Sequence, residues 1–237
     1  MASILTAGEA VARIAYLSSD VVVSVQPSLA TDSEFSRFLR TYASNKTAGI
    51  ISRGVPEILP VRHNVDPLLS VFQPMRSGKL VSVTTGSAIL VRSIPHLYKL
   101  AQYPVVIHAS LQPNGFPDYS DITSIRQSGF IFLQSESLQE AQDIALSAHA
   151  LAIKSGKGVI HFFDSSNLAN DQPIPHESAK VVKRVLDNGD KNGRRQRRNG
   201  RRRTDPSHSQ STARKNTDCS LKWQGVFHEL FVIGTKG

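Results

Sequence analysis

The chain has 237 residues, 40% of them apolar and 20% charged, which fits one large or two small folded domains. Its single cysteine, Cys219, excludes an intramolecular disulfide and any iron–sulfur cluster or thiolate zinc site built by this chain alone. No uncharged apolar run approaches the roughly 20 residues of a membrane span. The start, MASILTAGEAVARIAYL, carries Glu9 and Arg13 within its apolar part, unlike a secretory signal. A reducing, cytoplasmic setting without membrane contact is expected.

The net charge of +9 is unevenly spread. Through Asp187, Lys and Arg number 16 against 15 Asp and Glu; from Asn188 onward the counts are 12 and 4. The body is nearly neutral, and the basicity belongs to the C-terminal fifth. This shift sets the expected boundaries: a folded body over 1–187, a polar Arg-rich segment over 188–220, and a short apolar segment over 221–237. The middle segment lacks apolar periodicity and is expected to be disordered, since it buries too little to offset its ordering entropy. In the last segment Trp223, Phe227, Leu230 and Phe231 fall at helical spacing, though so short a run suits a strand as well.

In chain order, AGEAVARIAYLSS reads as an amphipathic helix and VVVSV as a buried strand. DSEFSRFLRTYA opens on an Asp-Ser cap signal and reads as a second helix. The stretch from Lys46 to Pro67, with three prolines, reads as loop with at most a short strand. KLVSVTT is a strand, and SAILVRSI with PHLYKLA is helical with a break near Pro95. PVVIHAS is a strand with β-branched residues on both faces, the mark of a sheet covered on both sides. YSDITSIRQ is a short helix and GFIFLQ a strand. SLQEAQDIALSAHALAIKSG is a long helix ending near Gly156. GVIHFFD is another buried strand and HESAKVVKRVLD a final helix. The alternation predicts an α/β fold, a doubly wound and mostly parallel sheet with helices on both faces.

Ligands of such sheets lie beyond the carboxyl ends of the strands. Gln26 and Ser28 after the first buried strand, and Asp164 after GVIHFFD, are therefore the candidate binding residues. For Asp164 the competing reading is a carboxylate that caps its own turn. His108 and His161, inside buried strands, read as partnered core histidines rather than catalysts. His63 and Asp66 stand close in a loop, without a nucleophile of defined context. Neither a glycine-rich phosphate loop nor a G-x-S-x-G elbow occurs, and no catalytic residue is assigned. Arg194, Arg195, Arg197, Arg198, Arg201, Arg202 and Arg203 form the candidate nucleic-acid-binding run, which would act through phosphates.

The run IPHLYKLAQYPVVIHAS followed by DYSDITSIRQSGFIFLQSESLQEAQDIALSAHALAIKSGKGVIHFFD resembles the pyrimidine-binding domain of pyruvate:ferredoxin (flavodoxin) oxidoreductases. That family's P-N-L-Y-K, P-V-V-F-H-V, A-R-Q-T-G-F, S-V-Q-E-A-Q-D-L-A and H-F-F-D-G segments fall in matching order. SVQPSLATDSEF, VFQPMRSGKLVSVTT and SGKGVIHFFD are similar to the N-terminal region of the hemoprotein β subunits of fungal assimilatory sulfite reductases (NADPH). The resemblance implies the thiamin-diphosphate-binding fold. It also implies partners: other domains of a sulfite reductase-like complex and its flavoprotein subunit. Siroheme and a 4Fe–4S cluster belong to the longer members, downstream of this region.

Three departures bear on thiamin diphosphate itself. Gln26 stands where the family places a substrate-touching threonine. The strand containing His108 runs into Ala109, Ser110, Leu111, Gln112 and Pro113 instead of supplying a substrate-binding arginine. The glutamate that activates the cofactor's aminopyrimidine has no clear counterpart, Glu57 being the carboxylate of GIISRGVPEILPVRHN. Arg126 and Asp164 match the family text but read as scaffold. In the family this domain holds only the aminopyrimidine, and a separate domain holds the diphosphate. The expectation is a non-catalytic or structural domain of an oxidoreductase of sulfite assimilation, inactive on its own and without a cofactor. The alternatives are a thiamin-dependent 2-oxoacid oxidoreductase domain and an RNA-binding protein acting through its tail. Because the resemblance stops at Asp187, the remainder reads as a solvated extension or a reading-frame product of a truncated subunit.

Overall fold

Six of the eight strands pair side by side, all parallel, in the order β3-β2-β4-β5-β7-β6. The structure, a computed structural model, describes residues 3–187 apart from 5, 27–33, 53, 63, 112–117, 166–167 and 169–172. Ser28 and the arginine run from Arg194 to Arg203 therefore lie outside the described residues, as does Cys219.

The chain opens with β1 (Ser3–Ile4), α1 (Ala7–Ser18) and β2 (Val21–Gln26), then α2 (Glu34–Ser44) and β3 (Glu57–Arg62). A 3-10 turn at Pro67–Val71 leads into α3 (Phe72–Arg76), β4 (Val81–Gly86), α4 (Ser87–Arg92), α5 (Ile94–Leu100) and β5 (Val105–Ser110). There follow α6 (Ser120–Ser124), β6 (Ile131–Ser135), α7 (Leu138–Ser155), β7 (Val159–Phe163) and β8 (Ile174–Pro175). The last described helix, α8, spans 179–187. The short β1 and β8 pair antiparallel as a separate ribbon.

Local chemistry sets the helix ends. The Thr6 side chain accepts from Glu9 N at 3.2 Å and Ser137 from Glu140 N at 3.2 Å, so α1 and α7 each start on a hydroxyl cap. Gly156 ends α7 at φ 69°, in the left-handed region where its missing Cβ costs nothing. The break between α4 and α5 falls at Ser93, and Pro95 sits within the first turn of α5, where its absent N–H goes unmissed.

Strand alternation divides the core. Val21, Val23, Val83, Ile107 and Ile160 face one layer with Leu68, Leu90, Leu97 and Leu100. Val22 and Phe163 face the other, with Ile14, Leu39, Ala141 and Ala145, while Val106 and Val159 meet Ala148 and Ala152 of α7. The doubly wound parallel sheet read from the sequence is the sheet observed.

The stretch from Lys46 to Pro67 is where the structure adds most. β3 is a six-residue strand, paired with β2 from Val21↔Glu57 to Gln26↔Arg62. Pro60 weakens the strand signal but is tolerated because β3 has a neighbour on one side only. Its exposure hides it too: in β3 only Val61 is buried.

Candidate functional site at the carboxyl ends of the strands

From β2 the chain crosses to β3 on one side, then returns past β2 to β4 on the other, so the winding direction reverses at β2. The crevice that such a reversal implies, the usual ligand position in these sheets, falls between the carboxyl ends of β2 and β4. Gln26 ends β2 there, in register with Arg62 of β3. On the β4 side the crevice is bounded by Thr85, Gly86 and Ser87, whose Oγ donates to Asp121 Oδ2 at 2.8 Å.

Asp164 follows β7 and is buried, its carbonyl accepting from Leu168 N at 3.3 Å. β2 and β7 are separated by β4 and β5. Three strand spacings, about 14 Å, thus lie between Gln26 and Asp164. The two candidates stand at opposite sides of the carboxyl edge and do not converge on one small ligand. Arg126 donates to the Thr123 carbonyl at 3.0 Å, a local turn contact.

The polar cluster nearest the crevice was not evident from spacing. Asp66 Oδ1 accepts from Leu68 N at 2.9 Å and from Ser93 Oγ at 2.7 Å. Asp66 Oδ2 lies 2.5 Å from His96 Nδ1. A carboxylate accepts, so Nδ1 carries the hydrogen. The carboxylate thus ties the turn after β3 to the junction of α4 and α5, with Phe72 edge-on to the imidazole. His63, the neighbour considered for Asp66 in the sequence, lies outside the described residues. Asp66 and His96 are 30 residues apart, beyond the reach of a local motif.

Glu57 lies at the wrong edge. It starts β3 and pairs with Lys79 at 3.0 Å, before β4 begins. Its carboxylate therefore stands at the amino edge of the sheet, a strand length from the crevice. β3 instead ends on Val61 and Arg62, the latter exposed.

A second buried cluster lies under α7. His108 Nδ1 is 3.1 Å from His161 Nδ1, and His108 Nε2 is 3.2 Å from His149 Nε2. Ser135 Oγ lies 3.0 Å from His161 Nε2. His108 and His161 are partnered core residues, as their strand positions suggest. His149, a polar residue on the buried stripe of α7, is the third member that the strand pattern alone does not reveal. Among the described residues no group of three or more His, Cys, Asp and Glu is arranged to hold a metal.

A parallel sheet wound in both directions from β2 defines a doubly wound α/β domain. The chain belongs to the thiamine diphosphate-binding family of pyruvate flavodoxin/ferredoxin oxidoreductases, whose family model matches residues 71–225. The match runs past Asp187, where the motif resemblance ends. The chain is 29% identical over 208 residues to the sulfite reductase [NADPH] subunit beta of Schizosaccharomyces pombe, covering 78% of this chain and 14% of that protein. It is also 29% identical over 181 residues to a probable pyruvate-flavodoxin oxidoreductase of Escherichia coli, covering 73% of this chain and 15% of the relative. The chain thus spans about a seventh of the length of these relatives. In fold it is similar to a 2-oxoglutarate:ferredoxin oxidoreductase from Magnetococcus marinus. The TM-score is 0.58 at 14% identity, covering 76% of this chain and 32% of the other.

The family's cofactor sets a test for the crevice. An aminopyrimidine needs a carboxylate within hydrogen-bond reach to accept or share its ring proton. Glu57 is at the opposite edge, and Asp66, the first carboxylate after β3, has both oxygens engaged within the protein. These two residues do not fit that role.

Proposed function

We propose that this chain is a non-catalytic domain of an oxidoreductase of sulfite assimilation, akin to the N-terminal region of sulfite reductase [NADPH] subunit beta. It holds no thiamin diphosphate, siroheme or iron–sulfur cluster of its own. Its strand-end surface docks against other domains of the complex or its flavoprotein subunit. The observation that carries this reading is the bound state of Asp66, whose carboxylate oxygens are both engaged, by Leu68 N and Ser93 on one and His96 on the other. Val65 and Leu69, exposed on either side of Asp66, supply apolar surface for docking.

The competing reading is a working domain of a thiamin-dependent 2-oxoacid oxidoreductase, and the family match favours it. An activity assay puts the proposed reading at risk. The purified chain is incubated with thiamin diphosphate, Mg²⁺, coenzyme A, pyruvate or 2-oxoglutarate, and a viologen acceptor. No acceptor reduction above the protein-free rate is expected. Turnover that depends on the 2-oxoacid supports the competing reading and removes the proposed one.

A further inference from the structure

The histidine cluster under α7 has a hydrogen-bond logic of its own. His108 lies on β5 and His161 beside it in register on β7, while His149 comes down from α7. All three are buried, at 0%, 0% and 3% exposure respectively. Each inter-ring contact joins two nitrogens, so one must carry a hydrogen and the other a lone pair. Three neutral imidazoles meet that condition in a single direction along the row. His149 Nε2 donates to His108, His108 Nδ1 donates to His161, and His161 Nε2 donates to Ser135; the reversed order works equally well.

Protonation undoes this order. One extra proton on His108 still leaves a lone pair at each facing nitrogen. With two neighbouring rings protonated, N–H faces N–H at 3.1 or 3.2 Å and the contact turns repulsive. Among the described residues, the hydrogen-bond tie of this row to α7 is the His108–His149 contact, which makes that helix the element a latch would release.

Among the described residues the buried carboxylate is Asp164, which follows β7 three residues after His161 and whose charge acts on Tyr119. β5, β6 and β7 carry no charged residue, and β4 faces His108 with Thr84. On α7, Glu140, Asp143 and Lys154 are exposed. The charged residues of α1, Glu9 and Arg13, act on Tyr42 and His176. The charged groups that act on the three rings are the rings themselves.

We propose that the His149–His108–His161 row is an acid-operated latch, holding α7 on the sheet while neutral and releasing it cooperatively when the rings protonate. Burial, reinforced by the neighbouring rings, holds His108 well below its ordinary range. Burial takes His149 to about 3, and burial with the His149 charge takes His161 to about 3. The closed form therefore binds fewer protons than the opened one between the ordinary histidine value, about 6.5, and those depressed values. Opening is favoured as pH falls through that window and is insensitive to pH above it.

Three protons taken up together make the opening constant rise roughly 1000-fold between pH 7.5 and 5.5; two make it rise roughly 100-fold. Amide hydrogen exchange of the intact chain at pH 7.5, 6.5 and 5.5, corrected for the intrinsic rate, reads this constant directly. The latch predicts the roughly 1000-fold rise in α7, with no comparable change in α5 on the opposite face of the sheet. His149→Leu and His149→Gln, of which the second keeps a hydrogen-bonding side chain but cannot titrate, should each reduce the rise roughly tenfold. An equal rise in α5 means that acid acts on the whole fold and overturns the proposal. So does a pH-independent α7, or an undiminished rise in whichever variant folds.

Discussion

Removing the Asp66 side chain separates a structural clamp from a reactive group. In Asp66→Ala the turn after β3 loses its cap on Leu68 N, worth about 1 kcal/mol. It also loses the bonds from Ser93 Oγ and His96 Nδ1, each worth about 1 kcal/mol in a partly exposed setting. Ser93 keeps a weaker contact to the Ile89 carbonyl at 3.3 Å, which softens the penalty of its burial. The net expectation is a loss of about 2–3 kcal/mol. Asp66→Asn keeps the oxygen that serves Leu68 and Ser93, and its amide meets the other imidazole tautomer, so it should cost about 1 kcal/mol or less. Urea unfolding followed by circular dichroism measures both as shifts of midpoint at unchanged slope. A reactive carboxylate held against a ligand behaves in the opposite way, since its removal commonly stabilises a fold. An alanine variant as stable as the parent, or more so, would refute the clamp and make Asp66 a candidate ligand-facing group.

Other substitutions probe the elements that position the crevice. A Cβ at Gly158 would stand 2.3 Å from Phe130 Cε1, so Gly158→Ala must displace a core ring and should cost about 1–3 kcal/mol, seen as a lower melting temperature. Ser137→Ala removes the cap of α7 and should cost about 1 kcal/mol by denaturant titration. Lys46 follows α2 at φ 50°, with Lys46 N bonded to the Ala43 carbonyl and Thr47 N to the Tyr42 carbonyl. That is a helix-ending motif that favours glycine, so Lys46→Gly should stabilise by about 1 kcal/mol, measured in the same titration.

The order of strands and helices was legible because the buried strands are apolar on both faces and the helices carry periodic stripes with recognisable ends. VVVSV, PVVIHAS and GVIHFFD each report a sheet covered on both sides. β3 was not legible. An edge strand with one buried residue and an internal proline offers neither alternation nor a continuous apolar run. The candidate site was partly legible, for a similar reason. That Gln26 and Asp164 stand at the carboxyl ends of strands could be read from the alternation. Which strand ends are neighbours depends on the spatial order, and the sheet sets β2 and β7 apart. Asp66 with His96, and His149 with the two strand histidines, are contacts between distant segments that no spacing rule encodes. The nearest sequence signal was His149, a polar side chain on a mostly apolar helical stripe.

No helix among the described residues is long and apolar enough to cross a membrane. The chain matches about a seventh of the larger proteins it is similar to. The central claim is narrower: this domain brings no thiamin site with it. Isothermal titration of the purified chain with thiamin diphosphate and Mg²⁺ tests that claim most directly. The account predicts no saturable heat up to millimolar cofactor, where affinity would amount to about 4 kcal/mol or less. Micromolar binding, about 8 kcal/mol, would contradict it and show that the crevice beside β2 keeps its cofactor.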